Sequence, residues 1–112
     1  MLSRAGVQVI IASFHSHNSH NIKQLAGNAV AYGVDWDAAL RAVTLVPAAA
    51  FGIGDRSGSL EVGKVADVVV WSGDPFEFST AAEKVFIRGA EVPLTSRQRQ
   101  LMERYKTLPP KY

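Results

Sequence analysis

The stretch GSLEVGKVADVVVW, residues 58–71, decides the character of the second half of this chain. Its two glycines, at positions 58 and 63, are typical of turns, and the apolar run Val65–Trp71 is typical of a strand buried on both faces. Asp74-Pro75 breaks that strand. Further along, Val85–Val92 carries a glycine between two short apolar runs, which indicates a hairpin. This half is therefore expected to form a small β-sheet.

The first half reads as one strand followed by helices. The β-branched run Val7–Ser13 predicts a strand buried on both faces, and the polar stretch His15–Asn21 after it predicts a solvated loop. Apolar residues then recur at helical spacing from Ile22 to Val30, and Gly33 supplies a stop signal. The chain thus begins with a strand, a loop and a helix.

Two further helices are expected before the sheet, and one after it. Asp35 is a favourable N-cap for a helix with its apolar face on Trp36, Ala39, Leu40 and Val43. Pro47 is suited to the first position of a short helix, Ala48–Phe51. Near the end of the chain, Thr95 and Gln98 form a capping box for a helix that continues to about Lys106. Its apolar stripe is Leu101, Met102 and Tyr105.

Composition restricts the functional classes. Of the 112 residues 47% are hydrophobic and 20% charged, which is typical of a folded domain. The net charge is +2 and cysteine is absent, so disulfide frameworks and thiolate metal sites are excluded. No apolar stretch approaches the roughly 18 residues of a membrane-spanning helix. We expect no nucleic-acid or membrane partner and a cytoplasmic location.

Three stretches of the chain carry a family pattern: Asn18–Ile22 (NSHNI), Ala38–Ala48 (AALRAVTLVPA) and Gly58–Trp71. Together with the residues between them, they resemble the C-terminal part of the amidohydrolase superfamily, particularly imidazolonepropionase-like enzymes, over residues 5–92. The resemblance implies metal-dependent hydrolysis on a (β/α)8 barrel. Such a barrel takes roughly 250 residues, so the active site is not expected to be complete in this chain.

The fold class predicted from this resemblance is α+β. Residues 1–52 would supply the last strand and helices of a (β/α)8 barrel, and residues 53–93 would supply strands of a small composite β-sandwich. Residues 94–112 would form a C-terminal helix and tail. The motifs themselves are structural, since their glycines and proline serve turns and helix starts. Asp67, inside the strand pattern, is expected to cap or to pair with Lys64 or Arg56.

The resemblance also identifies a chemical position. The end of the eighth barrel strand in such enzymes carries an Asp that binds metal and accepts a proton from the attacking water. In this chain that position falls at or near His15, and no Asp occurs before Asp35. No catalytic residue is therefore assigned.

His15, His17 and His20 form the pattern H-x-H-x-x-H, for which three interpretations remain open. The imidazoles could bind zinc or another divalent metal, since His15 and His17 would point to the same side of a strand end. They could instead belong to a solvated loop, or be a vestigial contact to a missing barrel. The lack of a nearby carboxylate to orient the rings weakens the metal interpretation.

The expected function is that of the C-terminal part of a metal-dependent hydrolase acting on non-peptide C–N bonds, without complete catalytic machinery in this chain. The alternative is a non-catalytic assembly module that oligomerises or completes a barrel from another chain. In either case we expect a homo-oligomer or a missing N-terminal barrel portion as partner. A homo-oligomeric interface would involve Trp36, Trp71 or the stripe Leu101, Met102 and Tyr105.

Overall fold

The computed structural model describes residues 5–107. After a 3₁₀ helix, Ser16–Asn21, come three α-helices: α1 (Ile22–Ala31), α2 (Trp36–Val43) and α3 (Leu45–Ala50). The antiparallel sheet follows with strands β1 (Val68–Trp71), β2 (Ala82–Ile87) and β3 (Ala90–Val92) in the order β1-β2-β3. Helix α4 (Arg97–Tyr105) comes last. Helices and a small sheet lie in separate parts of the sequence, which agrees with the predicted α+β class.

The junction of α1 and α2 follows the sequence signals. Gly33 has a φ of 93°, and its N–H donates to Val30 O while the N–H of Val34 donates to Ala29 O. These two bonds form a Schellman motif, for which glycine is suited because it lacks a Cβ. Asp35 then caps α2 by accepting a hydrogen bond from the N–H of Ala38 at 3.2 Å. Both the glycine stop and the aspartate cap are confirmed.

Helix α3 begins earlier than predicted. Pro47 is its third residue and not its first, because Thr44 ends α2 and starts α3 at the same point. The first four N–H groups of a helix have no partner within it, so a proline at the third position removes no hydrogen bond. The packing after α3 is close: a Cβ on Gly58 would lie 2.7 Å from the Cβ of Ala48.

The hairpin of the sheet is confirmed and has a type I′ turn. Arg88 and Gly89 have φ values of 52° and 79° and connect paired residues Ile87 and Ala90. Asp67 accepts a hydrogen bond from the N–H of Arg88 at 2.9 Å, and the N–H of Gly89 donates to Ala66 O. Of the two roles expected for Asp67, pairing with Lys64 or Arg56 is not observed within residues 5–107, whereas its carboxylate does cap a backbone N–H, that of this turn.

Two strand predictions need correction. Val7–Ser13 is not a strand, since its one backbone hydrogen bond within residues 5–107 is from the N–H of Ile11 to Ala42 O. A strand requires a neighbouring strand, and none lies beside this segment in the described part of the chain. The predicted strand Val65–Trp71 is shortened to β1, and both Val69 and Val70 remain about 40% exposed. Neither run is buried on two faces.

The polar stretch before α1 and the last helix also differ in detail. Residues predicted as a loop, His15–Asn21, largely form the 3₁₀ helix. The N-cap of α4 is Ser96, whose Oγ accepts from the N–H of Arg99 at 3.2 Å, and not Thr95. Within residues 5–107 no helix has the length and apolar character needed to cross a membrane.

Few side chains are buried in the described part of the molecule, and those that are buried are small. Among residues 5–107 the buried apolar side chains are all alanines, namely Ala26, Ala39, Ala42 and Ala48, and no large side chain is fully buried. The radius of gyration is 17.6 Å, against about 13 Å for a compact chain of this length. The accessible area is 9144 Å², against about 6,000 Å² for a compact monomer of this mass. Many large apolar side chains are exposed, among them Phe14, Leu60 and Val62.

Candidate functional site

His15 is the N-cap residue of the 3₁₀ helix Ser16–Asn21. Its backbone is extended, with φ −132° and ψ 141°, and its carbonyl accepts hydrogen bonds from the N–H of Asn18 and the hydroxyl of Ser13. The side chain is exposed, and the neighbouring Phe14 is fully exposed. The position that the resemblance singles out therefore faces solvent in this chain.

The three histidines share one short segment but do not converge. The rings of His15 and His17 stack nearly parallel, with centroids 5.3 Å apart and an interplanar angle of 13°. Ligand lone pairs lie in the plane of each imidazole, so stacked rings direct them along parallel planes and not at a common point. No group of three His, Cys, Asp or Glu residues in the part of the chain that the structure describes is placed to hold a metal ion. These residues alone do not fit the divalent metal implied by the family.

The histidine-bearing turn leads directly into α1, and a lysine fixes the first turn of that helix. Lys23 Nζ donates to the carbonyls of Thr80 and Glu77, at 2.5 and 3.2 Å, and lies 5.5 Å from the ring centroid of Trp71. Both carbonyls belong to the connection between β1 and β2. The ammonium group thereby ties the helix that follows the candidate site to the sheet.

The β1–β2 connection contacts the helices at two more points. Trp36 Nε1 donates to both carboxylate oxygens of Asp74, at 3.1 and 3.0 Å, and its ring lies 5.4 Å from that of Phe76. Asp74 also accepts from the N–H of Phe76, which fixes the turn around Pro75. A Cβ on Gly27 would lie 2.6 Å from Phe76 O, so this close approach of α1 requires glycine.

A second lysine organises the turn-rich stretch before β1. Lys64 Nζ donates to Gly54 O at 2.7 Å and to Ser59 Oγ at 2.6 Å, and it lies 3.5 Å from a carboxylate oxygen of Glu61. Its side chain is only 11% exposed. A buried ammonium needs such partners to offset its desolvation. The Gly-Lys pair at 63–64 thus has a structural role, as the sequence predicted for the whole motif.

Sequence reasoning missed the roles of Lys23 and Asp74. Asp74 could have been identified from the Asp-Pro turn it begins, since such side chains commonly accept hydrogen bonds from the following backbone. Lys23 carries no local signal, because its partners are 54 and 57 residues away. Within residues 5–107 no hydrogen bond or ion pair joins Lys23, Lys64 or Asp74 to the three histidines.

The chain belongs to the amidohydrolase family. The model of that family, "Amidohydrolase family", matches residues 1–94. The predicted resemblance is therefore confirmed, and helix α4 lies beyond the matched region.

Individual proteins agree with this membership. The chain is 44% identical over 55 residues to the imidazolonepropionase of Pseudomonas putida (strain GB-1), covering 49% of this chain and 12% of that protein. It is 35% identical over 88 residues to the N-substituted formamide deformylase of Arthrobacter pascens, covering 68% of this chain and 16% of that protein.

A crystal structure shows a similar fold. The amidohydrolase from Thermotoga maritima MSB8 superposes with a TM-score of 0.76 at 38% identity, over 81% of this chain and 24% of that one. In all three comparisons the chain spans less than a quarter of the similar protein.

Proposed function

We propose that this chain is the C-terminal structural part of a metal-dependent hydrolase that acts on non-peptide C–N bonds, and that its own residues do not form a complete catalytic site. Family membership supports the reaction class. The relative named N-substituted formamide deformylase supports a C–N bond as the one that is cleaved. The remaining barrel strands and the metal ligands would come from polypeptide outside these residues.

The observation that carries the proposal is the large exposed surface, which includes large apolar side chains such as Phe14, Leu60 and Val62. The total accessible area of the chain is about 3,000 Å² larger than that of a compact monomer of its mass. One side of a standard protein interface buries about 800 Å², so the surplus is larger than an ordinary docking contact. An exposed surface of this size is typical of a segment that packs against the rest of its own fold.

The residue at position 15 determines how far the chemistry departs from that of the family. An imidazole has one basic nitrogen fixed in the ring plane, whereas a carboxylate offers two oxygens at a shorter reach from the backbone. If the position accepts a proton from the attacking water, as the resemblance implies, a histidine would do so from a different distance. We therefore propose that a hydrolase containing this chain works poorly with His15 and better with an aspartate there.

A chimera tests the proposal. The segment of the Pseudomonas putida imidazolonepropionase that corresponds to residues 5–94 would be replaced by those residues, once with His15 and once with His15→Asp. We expect both chimeras to unfold cooperatively. Hydrolysis of imidazolonepropionate should be faster for His15→Asp by about 100-fold or more, the usual scale of acid–base catalysis. Equal rates in two folded chimeras would contradict the role given to position 15.

A further inference from the structure

The connection between β1 and β2, residues 72–81, presents two carbonyl groups to one ammonium group. Glu77 O accepts hydrogen bonds from the N–H of Thr80 and from Lys23 Nζ, and Thr80 O accepts a second bond from the same ammonium group. The ring centroid of Trp71 lies 5.5 Å from Nζ. An ammonium group has three donors and is attracted to an aromatic face, so these contacts suit it. Lys23 is half-buried against the connection, whereas a lysine on a helix ordinarily extends into solvent.

The connection that Lys23 binds is itself held in place. At its base the N–H of Ser72 donates to Ala81 O at 3.0 Å, and the N–H of Ala81 donates to Ser72 Oγ at 3.1 Å. In its middle, Asp74 accepts hydrogen bonds from the N–H of Phe76 and from Trp36 Nε1 of α2. Segments with many such bonds open less often than free loops. The connection is therefore a firm support for the start of α1.

The helix that carries Lys23 continues directly from the 3₁₀ helix. Lys23 is the second residue of α1, and no residue separates α1 from the 3₁₀ helix. The N–H of Ile22 donates to Ser19 O, and the N–H of Asn18 donates to His15 O at 2.9 Å. Backbone hydrogen bonds thus connect the first turn of α1 with position 15.

From these contacts, and resting on the function proposed for position 15, we propose that Lys23 is a positioning residue for the side chain at that position. Its bonds to the β1–β2 connection hold the start of α1 against the sheet, and the continuous helical backbone passes this constraint on to the 3₁₀ helix and its N-cap. Lys23 acts through the backbone and not by contact with His15. A misplacement of about 1 Å can slow a reaction about 100-fold, so a looser turn would lower kcat more than it weakens substrate binding.

Lys64 provides a matched control, because it is a second lysine held by backbone. Its ammonium group donates to Gly54 O and Ser59 Oγ in the stretch before β1, and its side chain is only 11% exposed. Replacement of either lysine by methionine removes hydrogen bonds and a charge while it keeps an unbranched side chain. Both variants should lose stability. Only Lys23→Met should loosen the 3₁₀ helix, since Lys64 binds a different part of the chain.

A distance measurement tests the positioning role without reference to the chemistry. The 112-residue chain has no cysteine, so spin labels can be attached at Phe14→Cys, beside position 15, and at Phe78→Cys, in the β1–β2 connection. Both native side chains are exposed. Pulsed electron spin resonance should give a narrow distance distribution that becomes about twofold wider in Lys23→Met. The width should stay unchanged in Lys64→Met. Equal widths for the parent chain and Lys23→Met would overturn the proposal.

Kinetics of the His15→Asp chimera with the Pseudomonas putida imidazolonepropionase test the consequence for catalysis. Lys23→Met should lower kcat by about tenfold or more and change KM by less than about twofold. Lys23→Arg should recover most of kcat, because a guanidinium group can donate to the same two carbonyls. Lys64→Met should leave kcat unchanged.

The outcomes separate this inference from the proposed function. Equal kcat values for Lys23→Met and Lys64→Met in active chimeras would overturn the positioning role and leave the proposed function in place. Folded chimeras without activity, with either residue at position 15, would contradict the proposed function, and the spin-label distances would then decide the role of Lys23.

Discussion

At the scale of single residues, Arg88 is the clearest example of a local conflict in this chain. It adopts a φ of 52°, the one positive φ of a non-glycine residue within residues 5–107. The left-handed region costs an ordinary L-residue roughly 1–2 kcal/mol, and asparagine tolerates it better. The conformation persists because Asp67 accepts a hydrogen bond from the Arg88 N–H and Gly89 completes the turn.

Replacement of Arg88 should stabilise the hairpin. Arg88→Asn creates an Asn-Gly pair, the preferred sequence for a type I′ turn, and leaves the backbone N–H that Asp67 binds. We expect the free energy of unfolding to rise by about 0.5–1 kcal/mol, measured by urea denaturation followed by tryptophan fluorescence. Arg56→Asn, a change of the same residue types at a position without positive φ, serves as control. Unchanged or lower stability for Arg88→Asn would show that the arginine conformation carries no strain.

The residues that sequence reasoning identified are those with local roles. Gly33, Asp35 and Gly89 were predicted because a helix end, a helix start and a hairpin turn each depend on a few adjacent residues. Lys23 could not be predicted, because its partners are distant in sequence and a lysine on a helix is ordinarily solvated. Whether His15, His17 and His20 bind a metal was left open for the same reason. The geometry of metal ligands depends on the three-dimensional positions of residues, which the sequence alone does not give.

At the scale of elements, helices α1 and α2 were predicted well because each has a cap and a periodic apolar face. Strands were predicted less well. Apolar, β-branched composition shows that Val7–Ser13 is suited to a strand, but a ladder needs a second strand, and composition does not supply one. The same limitation applies to β1, where the apolar run predicted burial on both faces and the structure leaves two of its valines exposed.

The sequence pattern and the structure assign the N-cap of α4 to different residues. The capping-box pattern indicated Thr95 as N-cap, whereas in the structure Ser96 accepts the hydrogen bond from Arg99. Ser96→Ala should therefore fray the helix and speed hydrogen exchange at the Arg99 amide by about fivefold, which corresponds to a loss of about 1 kcal/mol. Thr95→Ala should leave that amide unchanged. The reverse ranking of the two variants would support the sequence-based cap and contradict the structural one.

At the scale of the whole molecule, the motifs that carry the family resemblance have structural roles in the described residues. The motifs that define the family in this chain serve turns, caps and close packing: Gly58 packs against α3, Lys64 holds the preceding loop, and Asp67 supports the hairpin. Within residues 5–107 the buried apolar side chains are all alanines, and the histidine segment is largely exposed. Family membership could be inferred from the sequence because such structural motifs are local. Whether the chain carries a complete catalytic site could not be inferred, because the geometry of a site depends on residues that lie far apart in sequence.

Zinc-dependent hydrolysis by the purified chain is the measurement that tests this account most directly. The chain would be incubated with zinc and, in separate reactions, with an N-substituted formamide and with imidazolonepropionate, beside a His15→Ala variant. Because stacked and exposed His15 and His17 do not converge on a metal position, we expect no hydrolysis above the zinc-only background for either protein. Turnover by the wild-type chain that requires zinc and disappears in His15→Ala would contradict the account, since it would show that these residues form a working site on their own.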